Sequence, residues 1–145
     1  MTLAFLIGVL AGLRSLTAPA VTAWATRLGW LQVPSGLAWI GALPSVVVLT
    51  VLAAAELVAD KLPSTPARTA PPGLIARLVT GGFCGMCIAG GLGALLGAAG
   101  GLVGAFAGYR ARTGLVRALG VPDLVVAVAE DVLAVAGSLW IVSRA

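Results

Sequence analysis

Residues 74–109 carry a single charged side chain, Arg77. As one helix these roughly 36 residues would be about 54 Å long, against about 30 Å of bilayer hydrocarbon. Two helices, over 74–89 and 92–109, folded back at Gly90 and Gly91, meet that limit. No water-soluble domain accommodates such a run. The chain is 60% hydrophobic and 10% charged, with a mean hydropathy of +1.10, where a soluble domain has about 25% charged residues. Lipid as solvent leaves helices or a closed barrel, and apolar runs of this length without alternation read as helices. The length of 145 residues suits a single transmembrane domain.

Three more apolar stretches bring the expectation to five transmembrane helices in an all-α, polytopic membrane helical bundle. The first, residues 3–25, is broken near its middle by Arg14, Ser15, Thr17 and Pro19. The second, 37–58, ends in Glu56, Asp60 and Lys61 and leads into a proline-rich loop, 62–73. The last, 124–142, follows a basic connector holding Arg110, Arg112 and Arg117. The excess of basic residues in the second and fourth connectors places both on the cytoplasmic side. With five spans, the N-terminus is then cytoplasmic and the C-terminus lies across the membrane. Residues 3–13 have the apolar character of a signal sequence. No cation precedes them and Arg14 interrupts them, so the segment is expected to stay in place.

Two fragments recur. Ala11-Gly12-Leu13-Arg14 matches Ala107-Gly108-Tyr109-Arg110, each with a threonine three residues on, and Ala55-Glu56 matches Ala129-Glu130. Repeat one then covers about 3–62, a connecting helix about 74–89, and repeat two about 92–143. An odd number of spans between copies makes this an inverted repeat, the architecture of many transporters, with a site near the midplane.

The ionisable groups in apolar sequence are the candidates for chemistry. A carboxylate at the centre of a span costs about 2.5–3.5 kcal/mol on insertion scales, so it faces a partner or water. Glu130 and Asp131 sit halfway along the last stretch; one would meet Arg14 or Arg110 and the other a wet cavity. Glu56 and Asp60, one turn apart, could share a cation or proton, although Asp60 also suits a solvated helix end beside Lys61. Arg14-Ser15-Leu16-Thr17-Ala18-Pro19 reads as a helix break, with Pro19 in the first turn of a new half-helix and Ser15 or Thr17 capping it. Its freed amides and guanidinium would attract an anion or a carboxylate of the protein itself. A proline-kinked helix in which Arg14 pairs with Glu56 or Glu130 is the plainer reading. The expected ion- or substrate-binding residues are therefore Arg14, Ser15, Thr17, Glu56, Arg110, Glu130 and Asp131.

Other features read as structural. Cys84 and Cys87 lie three apart on a helical face, and with no histidine in the chain they imply no metal site. Gly93, Gly97 and Gly101, and Gly100, Gly104 and Gly108, are spaced for close helix packing. Trp24, Trp30, Trp39 and Trp140 fall near span ends as interface anchors. The net charge of +4 is not gathered into a basic run, which argues against nucleic-acid binding.

The segments 12–20, 56–63, and Pro122-Asp123 with Glu130-Asp131 resemble the DUF4126 family of small bacterial membrane proteins. The resemblance covers nearly the whole chain. It implies a multi-pass protein of the bacterial inner membrane and brings no catalytic residues or cofactor. The sequence thus points to a small transporter or channel, with lipid and a small ion or charged solute as partners. A chain this short offers few walls for a pathway, so a homo-oligomer, a dimer, is expected. A non-transporting scaffold built on the glycine helices is the alternative; an enzyme is not expected, since Ser15 and Thr17 have only acids as neighbouring bases.

Overall fold

The computed structural model describes residues 1–60 and 70–145. Among them the chain is entirely helical: α1 Thr2–Leu13, α2 Thr17–Arg27, a 3-10 helix Ser35–Gly41, α3 Leu43–Ala59, α4 Pro71–Leu119 and α5 Asp123–Val142. Most of the expected proline-rich loop, with Lys61 and Arg68, lies outside the described residues.

Local chemistry sets these boundaries. α1 stops where Arg14 turns extended (φ −138°, ψ 110°). Pro44 and Pro71 sit at the first positions of α3 and α4, where a missing N–H costs nothing. Gly120, at φ 61°, closes α4 in the left-handed conformation that favours glycine. α4 is two arms, because Ala89 (φ −142°) and Gly90 (φ 65°, ψ −152°) leave the helix. The expected fold at Gly90 is therefore present, and the arms return on each other: Gly85 meets Gly93, and Gly81 meets Gly97.

α1 lies in the cleft of this glycine-lined hairpin. A Cβ on Gly8 would fall 2.1 Å from the Gly97 carbonyl oxygen, and one on Gly12 2.5 Å from that of Gly101. Backbone touches backbone, so the glycines at 93, 97, 100, 101 and 104 are consumed inside the chain and are not an outward zipper. The contacts advance together, Phe5 to Gly100 and Val9 to Gly104, so α1 and the second arm of α4 run parallel. This overturns the inverted repeat. Copies of opposite hand would have to run antiparallel, and the matching Ala-Gly-x-Arg fragments instead lie on parallel neighbours.

The first apolar stretch is broken where expected, but its halves do not continue across the bundle. Arg14 reaches Asp131, Leu10 touches Gly137, and Ile7 and Ile141 share one core cluster, so α1 and α5 are antiparallel. Val142 packs with Val21 and Ala25, and Thr22 hydrogen-bonds Cys84, which clusters with Ile7. α2 therefore turns back alongside α1, and the pair is a helical hairpin with Arg14-Ser15-Leu16 at its tip. The physical reason is length: α1 and α2 are 12 and 11 residues, about 17–18 Å each, too short to span alone. The start of α1 and the end of α5 consequently lie at the same end of the bundle, not at opposite ends. Trp24, near the end of α2, and Trp140, near the end of α5, lie toward that end.

The hairpin forms the core. Most of α2 is buried, while the long helices turn valine and leucine outward: Val132 on α5 is 63% exposed and Val51 on α3 62%. An apolar exterior around a charged interior is the pattern of a protein solvated by lipid. α4 and α5 are long and apolar enough to cross a membrane, and the 3-10 helix with α3, bent by 62°, makes a third candidate.

Candidate functional site

The hairpin tip brings the ionisable groups together. Arg14 is fully buried. Its Nε donates to Asp131 Oδ1 of α5 at 2.6 Å, and its Nη1 pairs with Asp60 Oδ2 just past α3. One guanidinium thus ties three elements through its planar fork. The Asp131 pair is one of the partnerships expected from the sequence, whereas Asp60 takes the place expected of Glu56, and Glu130 binds elsewhere. Asp60, for which a solvated helix end was the favoured reading, is part of the core, with its side chain 16% exposed.

Glu56 crowns the start of α2. Its Oε1 accepts from the Ser15 backbone N–H at 2.7 Å and from the Ser15 hydroxyl, and its Oε2 accepts from the Leu16 N–H at 2.8 Å. α2 has no cap from a side chain of its own, so the expected capping by Ser15 or Thr17 does not occur. A carboxylate delivered from α3 does that work, favoured by the positive end of the helix dipole. The anion-attracting amides expected here are occupied by the protein's own acid. Glu56 and Asp60 therefore do not share a ligand; each has a separate partner.

Arg112 forms the second half of the site. Its Nε donates to Asp123 Oδ1 at 2.7 Å, its Nη2 pairs with Asp123 Oδ2, and its Nη1 lies 3.5 Å from Glu130 Oε2. Asp60 is within electrostatic reach of the same guanidinium. Four acidic side chains, Glu56, Asp60, Glu130 and Asp131, are consequently gathered near the hairpin tip, and Arg112 links them to Asp123 at the start of α5. Arg110, expected in the site, is exposed on α4 and takes no part among the described residues. Being two positions from Arg112 on a helix, it points to the opposite side. Arg112 is not among the residues expected from the sequence, because in that connector only Arg110 belongs to the recurring Ala-Gly-x-Arg fragment. The signal that could have found it is Asp123, eleven residues on, across the Gly120–Pro122 turn.

Arg77 is likewise buried. Its Nε donates to the Gly12 carbonyl at 3.0 Å and its Nη1 to the Gly73 carbonyl at 2.9 Å. It satisfies an orphan carbonyl at the end of α1 and so holds the hairpin tip from the other side. Among the described residues, Arg14 Nη2, Thr17 Oγ1 and Ser138 Oγ are buried polar atoms without a hydrogen-bond partner. Buried donors of this kind are where water or a polar solute is accommodated. Among the described residues no group of His, Cys, Asp and Glu is arranged to hold a metal ion.

The cap is directly testable. Ser15→Ala removes one neutral donor and is expected to cost about 1 kcal/mol. Glu56→Gln loses the charge that binds two amides at once and is expected to cost about 2–3 kcal/mol. Thermal unfolding in detergent should rank the two in that order.

Compared with known protein families, the chain matches the model for DUF4126, described as a domain of unknown function, over residues 1–143. No curated protein matches it, and no solved structure matches it.

Proposed function

Since the chain belongs to the DUF4126 family, to which no activity is attached, we propose from the geometry that it is a small membrane transporter or channel for a proton or small cation. The observation that carries this reading is Arg14: a fully buried guanidinium holding carboxylates from two other elements, whose Nη2, with the neighbouring Thr17 hydroxyl, has no partner among the described residues and so offers a place to water beside those carboxylates. From Asp131 to the Trp140 end of α5 is roughly 17 Å, and to Asp123 about 12 Å. In this reading Asp131 and the Arg14 that it pairs with fall in the middle third of a bilayer about 30 Å thick, and the Arg112–Asp123 pair falls toward its edge. Intramembrane ionisable groups at such depth mark ion pathways and proton relays. The collected carboxylates favour a cation over an anion, since the amides that could hold an anion are capped by Glu56.

In this reading α3, both arms of α4 and α5 cross the membrane, and the α1–α2 hairpin enters and leaves from one face. The positive-inside rule still assigns the connectors near Arg110, Arg112 and Arg117 to the cytoplasm of a bacterial inner membrane. With a re-entrant hairpin the same rule now puts Met1 on the opposite face, not in the cytoplasm. A homodimer would pair through the outward apolar face of α5, because the glycines are already used. No catalytic role is proposed: the Ser15 hydroxyl and Glu56 are joined as a helix cap.

Flux decides the matter. Protein reconstituted in liposomes is expected to pass protons or alkali cations, and Glu130→Gln, which leaves the Arg14 pairs intact, should lose most of that flux. A folded wild-type protein that moves no ion in such a panel would overturn the proposal and favour a scaffold.

A further inference from the structure

A second feature lies on the lateral face, away from the charges. α3 leans on α2 and the 3-10 helix, and between it and the first arm of α4 is a groove of about 480 Å³. Its walls include Leu16, Pro19, Trp39, Val48, Val79 and Phe83. Two hydroxyls border it, but Ser45 donates to the Trp39 carbonyl at 2.8 Å and Thr80 to that of Ala76 at 2.9 Å. The lining therefore offers almost nothing to a polar occupant. Val48 and Val79, on opposite walls, are 55% and 64% exposed, so the groove opens sideways into whatever surrounds the bundle.

A cation lies near the end of the groove at Trp39, outside its lining. Arg27 approaches the Gly41 carbonyl at 3.5 Å, two residues beyond Trp39 and three before Pro44, which also borders the groove. Trp39, which is exposed and borders that end, suits headgroup depth, where tryptophans collect. An apolar slot with an indole at its mouth and a guanidinium close by matches one kind of molecule by charge and polarity along its length. A peptide segment would bring backbone groups that the lining cannot satisfy; a hydrocarbon chain brings none.

We propose that this groove is a phospholipid site: one acyl chain of a bilayer lipid lies between α3 and the first arm of α4, and the anionic headgroup rests against Arg27. The proposal requires membrane embedding but not solute movement. Transfer from bilayer to groove brings the chain little hydrophobic gain, so selectivity comes from the headgroup. One basic residue at the surface corresponds to about a fivefold preference for an anionic lipid. The inner end of the groove at Leu16, whose amide is bonded by Glu56, abuts the hairpin tip.

The test uses Trp39 as the sole tryptophan, with Trp24, Trp30 and Trp140 replaced by phenylalanine, in phosphatidylcholine vesicles. Phosphatidylglycerol brominated on its acyl chains should quench Trp39 with about fivefold higher affinity than brominated phosphatidylcholine. Arg27→Gln should abolish that preference. Val48→Phe, which fills the groove, should remove the extra quenching, while Val51→Phe, outside it, should leave it. Equal quenching by both lipids, or extra quenching that survives Val48→Phe, overturns the proposal. So does protection of Trp39 from both lipids at high protein density, which would place a second copy in the groove.

Discussion

Arg14→Ala is expected to be among the most damaging single substitutions in this chain, costing about 3–5 kcal/mol, because it strands partners of a buried ion pair. Asp60 and Asp131 come from different elements, so the loss also removes the tie between α3, α5 and the hairpin tip. Arg14→Lys should recover little of it. A lysine ammonium is a point charge, whereas Arg14 uses Nε and Nη1 in two directions at once. Thermal unfolding in detergent would show both variants well below wild type. An Arg14→Lys protein of wild-type stability would mean that the fork geometry contributes nothing. Because Arg14→Ala compromises folding, it is a poor probe of flux, and Glu130→Gln serves better.

Gly97→Ala is the second large effect. The new methyl would lie 2.1 Å from the Gly81 carbonyl oxygen and 3.0 Å from the Gly85 Cα. Neither neighbour is a side chain that can swing away; the arms of α4 must part, and α1, which touches Gly97 through Gly8, must move with them. Overpacking of this kind costs about 1–3 kcal/mol or more. The same substitution at Gly114, also inside α4 but with nothing within 4 Å of the added methyl, should stabilise by up to about 1 kcal/mol through helix propensity. The opposite signs, measured side by side, separate close packing from propensity. Destabilisation at both positions would show that Gly114 also faces a contact.

Much of this was readable beforehand. The fold at Gly90 follows from length, and the break after Leu13 from an arginine followed by a proline in apolar sequence. The convergence of Arg14, Ser15, Glu56 and Asp131 follows from the expense of charge in hydrocarbon. What the sequence concealed was direction. A break at Arg14 is equally compatible with a kink and a reversal, and only the glycine contacts of α1 with α4 and the reach of Thr22 to Cys84 distinguish them. That one unknown also decided the relation between the two Ala-Gly-x-Arg fragments and the end of the bundle at which α1 begins. Partner choice was concealed for a different reason. Glu56 and Asp60 are one turn apart, and which of them meets an amide and which a guanidinium depends on the tilt of α3 over the tip. Arg77, the single charge of the 74–109 run, was not expected near the hairpin tip because its role, bonding the Gly12 carbonyl, has no signature in its own neighbourhood.

The pairing of Arg14 with Asp131 spans 117 positions of sequence. On the ribosome the arginine emerges roughly 6–23 s before its counter-ion at ordinary elongation rates. Throughout that interval a cation destined for the bilayer interior lacks one of the carboxylates that neutralise it there. In the proposed membrane arrangement, the N-terminal hairpin is therefore expected to reach its final depth only after the last helix has been translated.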